Sequence, residues 1–351
     1  MPHSRTHSII RGRTIVTIAL ATAFGLLIGA CSSDVASTTV TVVTHESFAV
    51  SDEVIAEFEQ QSGLTVEFLE SADAGTMVSE AILTQGKPIG DVLFGVDNTF
   101  LGRALENGIF RSYKSPALAH IPAEFQVDDG HFATPVDYGD VCINYWVDAF
   151  DEPPASLADL TDPTYEGLFV TQNPETSSPG MAMLLATVAA FGEDGWEDYW
   201  KALRANGVAV TSGWSDAYYG EFMGAGGDRP LVTSYASSPV AEVIYADPAI
   251  DVAPTAIIED SCFRQIEFAG VLDGAKNVSG AEQFIDFLLS DAFQNDVPLN
   301  MFVYPVSPSA TLPALFVEHS VVPATSSTLD PVTIEANRSA WTERWVEIVL
   351  R

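Results

Sequence analysis

Several short stretches of this 351-residue chain combine hydroxyls, a carboxylate or an aromatic with the start of a helix. They are Thr44-His45-Glu46-Ser47-Phe48, Gly95-Val96-Asp97-Asn98, Thr176-Ser177-Ser178-Pro179-Gly180, Ser212-Gly213-Trp214-Ser215-Asp216-Ala217-Tyr218 and Tyr235-Ala236-Ser237-Ser238-Pro239. Groups of this kind suit recognition more than bond-breaking. A helix N-terminus offers unpaired N–H groups and the positive end of a dipole, which favours an anion. Aromatic faces hold a flat or cationic ring. Glu46, Asp97 or Asp216 could pair with a positive charge, and the sequence does not choose among them. Each stretch alone is ordinary capping; several converging on one cleft point to a binding site. Catalytic signatures are missing: there is no P-loop, no GxSxG and no HExxH. His45, His120, His131 and His319 are too scattered to form a metal-spaced cluster. Gly224 to Gly227 follows a helix and reads as a turn.

The elements that must position these stretches alternate strand and helix. Thr39 to Thr44 is β-branched and reads as a strand; Ser51 then caps a helix that Gly63 ends. Leu64 to Leu69 and Asp91 to Phe94 are further strands, with helices to about Gln85 and over 98–107. The grammar returns with strands at 169–171, 208–210 and 231–235, and with helices opened by Ser178-Pro179, Trp214-Ser215 and Ser238-Pro239. Two long extended runs, 133–146 and 252–268, separate the halves. Late helices are expected at 281–289 and 333–350. This pattern predicts an α/β fold of two lobes, each a Rossmann-like sheet with helices on both faces, joined by two crossover strands. The crossings fall near Asp137-Tyr138-Gly139 and over Glu259 to Glu267. Ligands of open α/β sheets bind beyond the strands' carboxyl ends, where the stretches above lie. The division is 39–137 with 265–351 for the first lobe and 138–264 for the second.

Arg5, Arg11 and Arg13, then an apolar run over 15–28 and Ile28-Gly29-Ala30-Cys31, read as a lipoprotein signal peptide over 1–30, lipidation at Cys31 and a tether to 38. The protein is then expected on the outer face of the cytoplasmic membrane. Cys142 and Cys262 remain as an even pair in an oxidising compartment. Two free buried thiols are the competing arrangement; the layout on neighbouring crossover strands favours a disulfide. The net charge of -33, from 48 acidic and 15 basic residues, excludes nucleic acid as a partner and speaks for solubility.

At these segments the chain resembles the thiamine-binding proteins of bacterial ABC importers, within the two-lobed periplasmic binding protein class, type II-like. The resemblance runs from Val40 to Trp345. It adds Val136-Asp137-Tyr138-Gly139, Ala292-Phe293-Gln294-Asn295 and Tyr304-Pro305-Val306 to the stretches above. It implies that Trp214 and Tyr235 line the aminopyrimidine and thiazolium rings, and that Ser177, Ser178, Ser237 and Ser238 face the hydroxyethyl or phosphate end. It implies that the Asp73-Ala74-Gly75 turn touches the ligand from the first lobe, with Tyr218 and Ala236 beside the site. The family commonly has Tyr at the position of His45 and Trp at that of Phe302. The implied protein is a monomeric receptor, not an enzyme. It needs no cofactor, carries thiamine or a thiamine phosphate, closes its lobes on the ligand and docks on permease subunits. Two readings compete: another solute such as Fe3+ or a polyamine, with Tyr218-Tyr219 as iron ligands, and a thiaminase-like enzyme with Cys142 as nucleophile beside Glu267 or Asp137.

Overall fold

The computed structural model describes residues 37–224 and 226–351. The signal peptide, Cys31 and most of the tether lie outside the described residues. Ten strands run in chain order as β1 (Thr39–Thr44), β2 (Thr65–Glu70), β3 (Val92–Asp97), β4 (Phe110–Arg111), β5 (Thr134–Trp146), β6 (Phe169–Gln172), β7 (Ala209–Thr211), β8 (Leu231–Tyr235), β9 (Thr255–Leu272) and β10 (Tyr304–Pro305). The α-helices are α1 (Asp52–Ser62), α2 (Ala74–Leu83), α3 (Leu101–Glu106), α4 (Ser178–Ala205), α5 (Trp214–Asp216), α6 (Ser238–Ile244), α7 (Val278–Leu288), α8 (Asp291–Asn300), α9 (Ala314–His319) and α10 (Pro331–Val349).

The strands form one mixed sheet in which eight follow the order β2-β1-β3-β9-β5-β8-β6-β7, with β10 paired to β5 and β4 to β9. Each end is parallel: β1 pairs with β2 and β3, and β6 with β7 and β8. The expected parallel sheets are therefore present at both ends. The two long strands between them are antiparallel to each other and to their neighbours. β5 and β9 thus belong to both halves, and the chain crosses twice. Their pairing breaks between Val141↔Phe263 and Ile143↔Ile258. Cys142 and Cys262 sit at this irregularity and form the disulfide. Nearby, Arg264 Nε donates to the buried Asp140 Oδ1 at 2.8 Å and lies over the Tyr138 ring.

Local chemistry explains most element ends. Gly63 closes α1 at φ 71°, a left-handed turn that suits glycine. Ser51 sits at the N-cap of α1 without capping it, because its hydroxyl donates to Asp296 of α8. The two helices expected at 178–190 and 193–206 are continuous in α4 except at Gly192, whose φ of 70° kinks it. α3 is shorter than expected: Asp97 Oδ1 accepts from Thr99 and Phe100, which delays the helix start to Leu101. α10 comes from the segment expected in the first lobe. It packs on α4 of the second, where Trp345 meets Trp200 edge to face and Arg204 donates to the Ile348 carbonyl.

Candidate functional site

The strand ends of both halves open onto a cavity of about 360 Å³. From the first half come His45, Glu46 and Phe48 after β1, Asp73 and Ala74 at the start of α2, and Gln265 and Glu267 on β9. From the second half come Ser178 at the start of α4, Trp214 of α5, Tyr218, Tyr235 at the end of β8, and Ser238 of α6. Phe302, before β10, completes the wall.

Asp73 ties the two halves together. It caps α2 by accepting from Ala74 N–H at 2.7 Å through Oδ1. The same oxygen accepts from Ser178 N–H at 3.2 Å, and Oδ2 accepts from Trp214 N–H at 2.9 Å. A first-half carboxylate therefore sits on two helix N-termini of the second half, where dipole and free N–H groups favour it. Gly75, the second residue of α2, lies against the Thr176 backbone: a Cβ there would come within 2.7 Å of the Thr176 carbonyl carbon.

The Trp214 indole is fixed twice. Nε1 donates to Ser234 Oγ at 2.9 Å, and the ring stacks on Tyr218 with centroids 4.9 Å apart. Ser238 Oγ lies 2.7 Å from Ser234 Oγ and accepts from Tyr235 N–H. Tyr218 donates its hydroxyl to Glu242, so its ring serves as backing for the indole. Burial holds the Tyr235 hydroxyl protonated, well above the usual tyrosine range. Phe302 has φ 54°, a left-handed conformation uncommon for a non-glycine residue. The Ser237 hydroxyl donates to the Phe302 carbonyl and helps hold it there.

The cavity floor is acidic. His45 Nε2 lies 3.1 Å from Glu267 Oε1, a charge contact. Its Nδ1 accepts the Ser47 N–H at 3.1 Å. Behind Glu267, Asp137 is fully buried; desolvation and then the Glu267 charge push its pKa well up, so it keeps its proton. Asp97 is also buried; desolvation raises it to about 6 against hydrogen bonds from Thr99. Among the described residues, the cavity lining contains no Lys or Arg.

The structure thus gathers His45, Glu46, Asp73, Ala74, Ser178, Trp214, Tyr218, Tyr235, Ser238 and Phe302 around one space. Six other sequence-predicted residues lie elsewhere. Gly75 packs on Thr176, Ser177 is buried at the N-cap of α4, and Ser237 serves Phe302. Ala236 is buried and donates its N–H to the Asp140 carbonyl; Asp97 is buried outside the lining. Asp216 is exposed and accepts from Ser212 Oγ. Sequence reasoning did not place Glu267, Gln265, Tyr219, Tyr245 or Asn300 in the lining. Glu267 had a signal: a carboxylate set between Ile266 and Phe268 on a crossover strand.

The residues at the cleft fit a receptor, and comparison with known proteins agrees. The profile described as bacterial extracellular solute-binding protein matches residues 87–325. The chain belongs to this family. It is 30% identical over 327 residues to the thiamine-binding periplasmic protein of Escherichia coli (strain K12), covering 92% of this chain and 97% of that one. It is 31% identical over 316 residues to the protein of the same name from Salmonella typhimurium (strain LT2), covering 89% and 93%. A solved periplasmic thiamin binding protein superposes with a TM-score of 0.78 at 29% identity, covering 89% of this chain and 96% of the other. The solute-binding protein therefore has the two-lobed periplasmic binding protein fold expected from sequence. Cys142 is bonded to Cys262, so it offers no free thiolate for nucleophilic catalysis.

Proposed function

We propose that this chain is the lipid-anchored, extracytoplasmic receptor of an ABC importer for thiamine or a thiamine phosphate, held at the outer face of the cytoplasmic membrane through Cys31. The observation that carries the reading is the cavity's composition: Trp214, Tyr235 and Phe302 beside Glu46, Asp73 and Glu267, with no Lys or Arg among the described lining residues. Such a space suits a flat organic cation. An aromatic face contributes about 0.5–2 kcal/mol to holding one, and a carboxylate supplies the counter-charge. The names of its relatives support thiamine as that cation. Ser178 and Ser238, with hydroxyls at helix starts, are the groups for the polar tail. The protein acts as a monomer without cofactor or catalysis, closing its two lobes on the ligand and presenting the closed form to the permease subunits.

Isothermal titration with thiamine, its monophosphate, its diphosphate and Fe3+ tests the reading. Thiamine or a phosphate ester should bind, and Trp214→Ala should weaken it about 2- to 30-fold. Binding of Fe3+ with no heat from any thiamine species would overturn the proposal. Mass spectrometry of the mature N-terminus tests the anchor; an unmodified Cys31, or cleavage elsewhere, would remove it.

A further inference from the structure

His45 stands among carboxylates from every side. Glu267 reaches it from β9 at 3.1 Å, Glu46 follows it in the same loop, and Asp73 faces it from the start of α2. Asp137 of β5 pairs with Glu267 in the sheet register, and Asp97 lies at the end of the adjoining β3. Tyr235 of β8 borders the same space. Among the described residues of the lining, His45 is the one side chain able to carry a positive charge.

Two sets of contacts pull the ring in opposite directions. The carboxylates favour the imidazolium. The Ser47 N–H favours the neutral ring, because it donates into Nδ1 and a protonated Nδ1 could not accept it. The neutral tautomer carries its hydrogen on Nε2, next to Glu267. His45 can thus occupy either state without moving far: charged, it balances Glu267; neutral, it keeps the Ser47 bond. A cation arriving beside Glu267 would find that carboxylate already balanced by an imidazolium, and the two positive charges would repel across a buried space.

We propose that His45 couples capture of a cationic ligand to release of one proton, the imidazolium giving its Nδ1 proton to bulk solvent as the ligand's charge takes its place beside Glu267. This rests on the cationic ligand proposed above. Cation affinity then rises with pH through the titration of His45, by up to about tenfold per pH unit where a full proton is released. In the empty receptor that titration lies above the usual histidine value: burial lowers it, but Glu267 first, then Asp73 and Glu46, raise it further.

The test is calorimetry of the full chain with thiamine, between about pH 5.5 and 8, in buffers of different ionisation enthalpy. The expected result is net proton release in the wild type, tighter binding at higher pH, and loss of both in His45→Gln. Proton NMR adds a readout independent of that variant's folding: the His45 ring resonance should titrate in the free wild type and stay neutral over the same range with thiamine bound. Equal proton release in His45→Gln would overturn the inference, since the ligand's own aminopyrimidine or the Asp137–Glu267 pair would then be the source. A wild type that binds thiamine with pH-independent affinity and no proton exchange would overturn it too, leaving the receptor reading intact. A wild type that binds no thiamine at any pH would fail both.

Discussion

Asp73 and Trp214 meet across the cleft, the carboxylate Oδ2 of one accepting the backbone N–H of the other at 2.9 Å. The contact joins the first helix turn of each half without passing through a ligand. With Ser178 N–H on the other oxygen, Asp73 fits the role of a latch for the lobe closure proposed above. A hydrogen bond to a charged group contributes about 1.5–3 kcal/mol. Asp73→Ala should therefore weaken thiamine binding about 10- to 100-fold, and small-angle scattering should show less compaction on ligand addition. Loss of the α2 cap should cost only about 1 kcal/mol of stability. Wild-type affinity in this variant would contradict the latch.

Gly75 permits the same closure by having no side chain. Its would-be Cβ meets the Thr176 carbonyl oxygen at 2.8 Å across the cleft and the Phe100 ring at 2.8 Å within its own half. Gly75→Ala must push one of them away, at about 1–3 kcal/mol. Titration calorimetry beside thermal melts separates the two. Interlobe crowding predicts an affinity loss larger than the drop in Tm explains; a lower Tm with unchanged affinity would assign the contact to Phe100.

The disulfide joins residues 120 apart in sequence. Closing a loop of that size restricts the unfolded chain by about 4–5 kcal/mol in the chain-entropy account. The double variant Cys142→Ser, Cys262→Ser should lose stability on that order in urea denaturation, with the cavity and its binding retained. Midpoints equal to wild type would show that the bridge constrains little.

Asp97 gives a pH signature. Its pKa is raised from the usual 3.8 to about 6 by burial. The folded state thus holds this proton more tightly than the unfolded chain. The associated stability is complete below about pH 4 and is lost as pH rises through 6. A shift of about two units corresponds to roughly 3 kcal/mol. In Asp97→Asn, the fall in stability between about pH 4 and 6.5 should be smaller than in wild type by up to that amount. Parallel pH profiles for the two proteins would rule out Asp97 as the titrating group.

Much of the architecture was legible because it is local. β-branched runs, glycine stops and Ser-Pro starts mark β1, β8, α6 and the end of α1 within a residue or two. Two extended runs too long for one lobe pointed to β5 and β9 as crossings, and the even cysteine pair lay on them. Trp214 opens α5 just after β7 and Tyr235 ends β8, both at strand ends where open α/β sheets bind.

The sequence by itself determined the two α/β halves, the crossings, the cysteine pair and the strand ends that carry the site, since those depend on propensity, spacing and parity. Tertiary structure decided which polar group does what. Among the carboxylates considered for the ligand's charge, Asp216 went to solvent and Asp97 was buried outside the lining, leaving Glu46. Glu267 joined the site because β9 crosses beneath the cavity. Ser237 turned to Phe302, and Asp73 reached across to Ser178 and Trp214. The placements of Ser237 and Asp73 depend on hydrogen-bond partners within about 3 Å, across sequence separations of 65 to 141 residues. No local pattern encodes such a partner; only the packing of the two halves supplies it.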